Sequence, residues 1–315
     1  MNLSPLRNFG NLVVFIFLIT NTWLASATPV EEMIHDPLMQ TAFISLIHKA
    51  SVETDDLHDK YAERMFEDLI TQHPHLAELS KQIGRDPRAG DYIRHRSSLF
   101  DQMLERILSL PEPPDTLVAL ASGFDSRPLR YHRYFKTIIE VDLQAVTQLK
   151  QAIYQRTELG QDHQMIAGDI ISTEWFDQIP KEGVLFTLEG ILPYLDEEQA
   201  HTVFSQLATA FHNSHILAET LPSYMIATAS LAPTAALARW LLTHREETRN
   251  SVGSFLSDHS VVSPSGLQLW AQHLPSDRVT LEEYTTPKLN IQRWKSFLIR
   301  LLGVEQPRIS WLRIH

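Results

Sequence analysis

Between residues 36 and 110 apolar side chains recur at spacings of three and four. Phe43, Leu46 and Ile47 form one set, Met65, Phe66, Leu69 and Ile70 a second, and Leu99, Met103, Ile107 and Leu110 a third. That period belongs to helices with one buried face, the last of them predicted over 91–110. Pro111-Glu112-Pro113-Pro114 ends it, because proline lacks an amide and fixes its own φ. Beyond the prolines the pattern changes. Short apolar runs at 116–121, 137–141, 164–167, 184–188 and 216–218 predict strands, and the amphipathic stretches 143–158 and 196–212 predict helices between them. Asp196 is placed to cap the second helix, with Gln199 as its capping-box partner. Alternating strands and helices make an α/β fold with a mostly parallel sheet and right-handed crossovers. Two later runs, 278–284 and 308–313, bring the expected strand count to seven. Residues 221–259 are too many for a simple connection, and the Ala/Leu/Trp content of 227–242 predicts a helical lid insert.

The first 27 residues follow a different rule. Arg7 is their only charge, 12–19 is unbroken and apolar, and Ala25-Ser26-Ala27 offers small residues for cleavage. This is the pattern of a secretory signal peptide, too short to span a bilayer comfortably. Export is therefore expected, with membrane contact only through an uncleaved leader; a chain whose leader is not processed would be cytoplasmic. The plan is a leader at 1–27, an N-terminal helical cap at 28–110, and an α/β domain at 111–315 carrying the insert.

Composition narrows the function. With 43% hydrophobic and 21% charged residues the 315-residue chain is globular. Lys and Arg total 27 against 38 Asp and Glu, a net charge of -11 with no basic block, which argues against nucleic acid as a partner. There is no cysteine, so disulfides, thiolate metal sites and cysteine nucleophiles are excluded together. The fifteen histidines are scattered without paired ligand spacing, so no metal site is expected. No G-x-S-x-G elbow supports a serine hydrolase.

An open parallel sheet binds ligands beyond the carboxyl ends of its strands. Here those ends carry Ala121-Ser122-Gly123-Phe124-Asp125, then Asp142, then Gly168-Asp169, then Glu189-Gly190. Small residues at 121–123 let a ligand approach the backbone. Asp142 is placed to accept ribose hydroxyls, and Asp169 an adenine amino group. Singly, such acids are more often helix caps than ligand contacts; at three successive strand ends they describe a nucleoside site. A dinucleotide loop wants G-x-G-x-x-G around a pyrophosphate. This loop has one glycine and an acid, Asp125, which suits a cationic sulfonium better. S-adenosylmethionine is thus favoured over NAD.

Several segments resemble the leucine carboxyl methyltransferase family. Leu120-Ala121-Ser122-Gly123-Phe124-Asp125-Ser126-Arg127 is similar to its L-G-x-G-x-D-T-R segment, with Ala121 where the family usually has its first glycine. Glu140-Val141-Asp142-Leu143 is similar to its E-V-D-x segment. Leu188-Glu189-Gly190-Ile191-Leu192-Pro193-Tyr194-Leu195 resembles its E-G-x-L-x-Y-L segment, and Arg94 to Asp101 an R-x-x-x-x-D stretch upstream. Thr41-Ala42 and Lys49-Ala50 match a weaker N-terminal pattern. The resemblance implies a Rossmann-like class I methyltransferase sheet and S-adenosyl-L-methionine as cofactor. It implies that Arg96 grips the methionyl carboxylate, Gly123 lines the loop beneath it, Asp142 holds the ribose, Asp169 the adenine edge and Glu189 the methionyl amino end. By helical spacing alone, Arg96 could instead pair with Asp101 or Glu105 on the surface. Tyr194 reads equally as core or pocket, and Tyr224, Met225 and Trp240 are candidate walls for the acceptor. The expected activity is O-methyl transfer to a carboxylate or hydroxyl, with no residue declaring itself as a base. The alternative is an exported, catalytically inactive protein that uses the same fold to bind a nucleoside or another partner.

Overall fold

The computed structural model describes residues 37–51, 59–83, 87–160, 162–220, 278–285 and 308–315, together with Leu267 and Ala271. The leader and the insert at 221–259, with Tyr224, Met225 and Trp240, lie outside the described residues.

The N-terminal region holds four described helices: α1 (Pro37–Ala50), α2 (Lys60–Gln72), α3 (Pro74–Ile83) and α4 (Pro87–Leu108). Periodicity predicted the last from residue 91, and it begins four residues earlier. Pro74 and Pro87 each open a helix, where a missing amide costs nothing. Asp59 caps α2 by accepting from the Ala62 amide at 2.9 Å. The chain then alternates: β1 (Thr116–Leu120), the short α5 (Arg127–Arg130), β2 (Thr137–Asp142), α6 (Gln144–Thr157), β3 (Gln164–Ala167), β4 (Val184–Leu188), α7 (Glu197–Ala210), β5 (Ser214–Thr220), β6 (Val279–Thr285) and β7 (Arg308–Ile314). The capping box of α7 is made as its sequence implies, with Gln199 N to Asp196 Oδ1 at 2.7 Å and Asp196 N to Gln199 Oε1 at 3.0 Å.

The strands form one sheet in the order β3-β2-β1-β4-β5-β7-β6, parallel from β1 to β5, with β7 antiparallel to both its neighbours. This is the Rossmann-like class I methyltransferase sheet. β1 and β4 are buried at every position, as strands covered on both faces must be. β5 is longer than its apolar run 216–218 suggested. Seven register pairs with β7 carry it through Ser214, Glu219 and Thr220, polar residues that are nonetheless fully buried.

Helix α7 with Trp175 and Phe176 covers one face of the sheet. On the other face α4 packs Leu99, Phe100 and Ile107 against Leu117, Leu185 and Trp311. Phe43 and Leu46 of α1 and Met65 and Leu69 of α2 share a core with Val146, Leu149 and Ile153 of α6. The N-terminal helices are therefore part of the same packing as the sheet, and α1 ends up beside the strand ends.

Candidate cofactor site

The sheet order reverses between β1 and β4, since β1 continues toward β2 and β4 toward β5. A crevice opens at such a switch point. Here it is a cavity of about 640 Å³, within the usual range of about 300–1,000 Å³ for small-molecule sites. All seven residues expected at the cofactor line it, and so does Tyr194.

The loop after β1 forms the floor. Ala121 stands at φ +47 with its amide donating to Val141 O at 2.8 Å, and Gly123 stands at φ +48. The first is a left-handed conformation that a Cβ disfavours by about 1–2 kcal/mol. Ala121→Gly is therefore expected to stabilise the protein by about 0.5–1 kcal/mol, the strain relief less the entropy a glycine adds to the unfolded chain. A thermal melt reads this directly, and a lower midpoint would mean that the alanine methyl contributes more packing than strain. At Gly123 a Cβ would lie 2.9 Å from the Cβ of Ala42, so α1 rests against the loop at a point where only glycine fits. The Gly123 amide donates to Asp142 Oδ2 at 2.6 Å, and the Leu143 amide to Asp142 Oδ1 at 2.7 Å. Burial pushes the Asp142 carboxyl up to about 6, against the lowering effect of those two amides.

Charge gathers at the far side of the loop. Glu189, just beyond β4, accepts from Arg96 Nε at 2.9 Å, Ser97 Oγ at 3.0 Å and Lys49 Nζ at 3.1 Å, and it also contacts Arg127. Asp125 accepts from Lys49 at 3.2 Å and from Arg127 at 3.1 Å. Burial raises both carboxyls, but Arg127 and Lys49 more than reverse it and hold each well below the usual range, with Arg96 adding to the effect on Glu189. The Arg127 guanidinium is almost entirely buried, pairs also with Asp101, and stacks over Phe100 at 4.5 Å. Arg96 is not a surface partner of Asp101 or Glu105. Among the described residues it pairs with Glu189 and, at 3.3 Å, with Glu219 at the end of β5.

Asp169 sits exposed at the rim, its Oδ1 accepting from the Ile171 amide at 3.0 Å. Tyr194 is half-buried in a 3-10 turn at Leu192–Tyr194, and Gly190 reaches φ +74 against the Arg96 guanidinium. Two residues at the centre of this site, Lys49 and Arg127, carried no role in the sequence reading. Lys49 lay in a weakly matching N-terminal pattern and Arg127 inside the loop motif, and nothing in their spacing announced that Lys49 meets acids 76 and 140 residues away or that Arg127 meets Glu189, 62 residues on.

The donor set fits S-adenosylmethionine. A buried carboxylate and a tight backbone loop suit a ribose, while cations and carboxylates lie together where an amino-acid tail, itself carrying both charges, would end. The leucine carboxyl methyltransferase family model matches residues 26–208, more than half of the chain. A curated relative, the S-adenosyl-L-methionine-dependent methyltransferase dpfgK of Gibberella zeae, is 24% identical over 170 residues, covering 52% of this chain and 57% of that protein. The chain thus spans a little over half the length of the curated relative it matches. Among solved structures it is similar to the plantazolicin methyltransferase BamL, at 10% identity and a TM-score of 0.48 over 86% of this chain and 98% of that one. It is also similar to magnesium protoporphyrin IX methyltransferase (ChlM) from Synechocystis PCC 6803, at 10% identity and a TM-score of 0.45 over 71% and 86%. With the family match running across the loop, the acid after β2 and the acid after β4, the chain belongs to the leucine carboxyl methyltransferase family.

Proposed function

We propose that the chain is an S-adenosylmethionine-dependent O-methyltransferase (EC 2.1.1.-) whose acceptor presents a carboxylate or a hydroxyl. The observation that carries this reading is the convergence of Gly123, Asp142, Asp169 and Glu189, from four successive strand ends, on one cavity. Bound S-adenosylmethionine supplies a methyl group already activated on a sulfonium, so the protein's own task is to bind, orient and exclude water. Asp142 accepts the ribose hydroxyls, Lys49 and Arg96 face the methionyl carboxylate, and Asp125 and Glu189 balance the charge around them. Ile44, Ile93, Ile191 and Leu195 supply apolar wall. No histidine lines the cavity among the described residues, and Asp125 and Glu189 are committed to cations. A carboxylate acceptor needs no base and a hydroxyl needs one; the candidate acceptor walls Tyr224, Met225 and Trp240 lie outside the described residues. Thermal shifts with S-adenosylmethionine, NAD and adenosine test the reading. Ligand at a hundred times its dissociation constant stabilises by about 2.7 kcal/mol. A shift with NAD and none with S-adenosylmethionine overturns it, and a shift with adenosine and no methyl transfer to any acid leaves the inactive nucleoside-binding protein as the better reading.

Asp142 gives this site a pH signature. Its pKa in the folded protein lies above the ordinary 3.8, so its contribution to stability is present below pH 3.8 and lost as pH rises through about 6. Ligand affinity runs the other way, because the ionised carboxylate is the stronger acceptor for a hydroxyl. Between pH 5 and pH 7 the affinity for S-adenosylhomocysteine should rise about tenfold, following the ionised fraction of a group titrating near 6. Calorimetry across that range checks it, and Asp142→Asn should flatten the profile; the same slope in the variant would assign the titration to another group.

The leader belongs to the same proposal. Arg7, the apolar run 12–19 and the small residues Ala25-Ser26-Ala27 support a mature chain starting at Thr28 after export. Intact-mass analysis of the protein from its native host is expected to give that N-terminus, and a full-length chain in the cytosol would overturn it.

A further inference from the structure

Beneath the loop after β1 lies a second charged pair, Glu140 of β2 and Lys150 of α6, with both side chains at 0% exposure. Neither lines the cavity. Lys150 Nζ donates to the main-chain oxygen of Asp125 at 3.0 Å, to Ser122 Oγ at 3.3 Å and to the Glu140 carboxylate. Ser122 Oγ in turn donates to Glu140 Oε2 at 3.0 Å. The other oxygen, Oε1, accepts from Tyr154 OH at 2.9 Å and contacts His163 Nδ1 at 3.2 Å. One ammonium thus ties both ends of the segment 122–125 to the second strand and to the helix behind it.

A buried ion pair is a poor device for stability alone, since a well-packed apolar pair of the same volume serves as well or better. An apolar pair cannot hold a main-chain carbonyl and a hydroxyl in one loop. Those two ties fix the segment that carries the Gly123 amide, which reaches Asp142, and the Asp125 carboxylate, which reaches Lys49 and Arg127. We infer that Lys150 is a positioning residue: paired with Glu140, it locks the 122–125 segment in the form that receives the cofactor. The inference rests on the cofactor reading above for its consequence in binding, and on the hydrogen bonds alone for its consequence in loop rigidity.

The test replaces the pair together. Lys150→Met/Glu140→Gln removes both charges and keeps an acceptor for Tyr154. Amide hydrogen exchange in the ligand-free protein should be about tenfold faster at Gly123 and Asp125, with β1 amides and the thermal midpoint close to the parent's. Calorimetry with S-adenosylhomocysteine should give about tenfold weaker binding. If the double variant does not fold, Ser122→Ala cuts one tie and leaves the pair intact; faster exchange at Gly123 and Asp125 with an unchanged midpoint is expected there too. Parent-like exchange and affinity in the folded variant would overturn the inference, leaving the pair a filler of the core. Equal acceleration in the loop and in β1, with a lowered midpoint, would overturn it in favour of general support of the fold. A parent protein that binds no S-adenosylhomocysteine would sink the methyltransferase reading, while the exchange rates still decide whether Lys150 locks the loop.

Discussion

Replacing Glu189 with leucine is expected to destabilise the protein by about 3–5 kcal/mol, the cost of breaking a buried ion pair by removing one partner. Its carboxylate is the meeting point of Lys49, Arg96 and Arg127, which come from α1, α4 and the start of α5. Lys49 and Arg127 have side-chain exposures of only 6% and 1%, so water cannot replace the lost charge. Each cation keeps another carboxylate: Asp125 for Lys49, Glu219 for Arg96, Asp101 and Asp125 for Arg127. The variant should therefore still fold. Binding should suffer more than stability, because the three cations would turn toward their remaining partners and move the cavity wall with them. Urea denaturation reads the first effect and calorimetry the second. A loss below about 1 kcal/mol, the range of an exposed pair, would mean that the remaining carboxylates neutralise the cluster without Glu189.

Lys150→Met, made singly, should cost about as much, roughly 3–5 kcal/mol, by leaving Glu140 charged in the core. The sign of its pH dependence sets it apart from a packing defect. In the parent, burial pushes the Glu140 carboxyl up, while Lys150 and the His163 hydrogen bond outweigh burial and hold it at about 2. Its ordinary value is 4.5, so the parent has this stabilisation in full above pH 4.5 and loses it as pH falls through about 2. Without Lys150, burial is opposed only by weaker partners and the carboxyl titrates higher. Protonation then relieves the variant while the parent, still ionised, is unchanged, and the stability gap between them should narrow from pH 7 toward pH 5. An equal gap at both values would put the loss down to the missing methylene packing.

The order of strands and helices was legible because apolar runs separated by amphipathic stretches of helical period have few other solutions. The strand ends were legible for the same reason: Asp142, Asp169 and Glu189 stand out as acids at the close of apolar runs. What these residues bond to was not. Glu189 and Lys49 are 140 positions apart, and Lys150 answers to a carbonyl 25 positions back. Such contacts depend on how α1 and α6 pack, which a one-dimensional pattern does not encode. The departure at Ala121 was visible as a residue change, but its meaning, a left-handed backbone that a glycine would relieve, required φ. Ser214, Glu219 and Thr220 misled in the other direction, since polar residues at a strand end read as loop until an antiparallel neighbour covers them.

That antiparallel neighbour has a kinetic consequence. β5 and β7 pair from Ser214 with Ile314 to Thr220 with Arg308, so the nearest of these partners are 88 residues apart in the chain. Closing so long a loop costs entropy before any pairing rewards it. β6 joins the sheet through β7, so it waits as well. During refolding the parallel strands β1 to β5 can assemble first, and until β7 arrives the edge of β5 is a row of unpaired amides and carbonyls open to the same edge on another molecule. Refolding yield should therefore fall as protein concentration rises, and a peptide spanning Arg308–Ile314, added in excess, should compete for that edge.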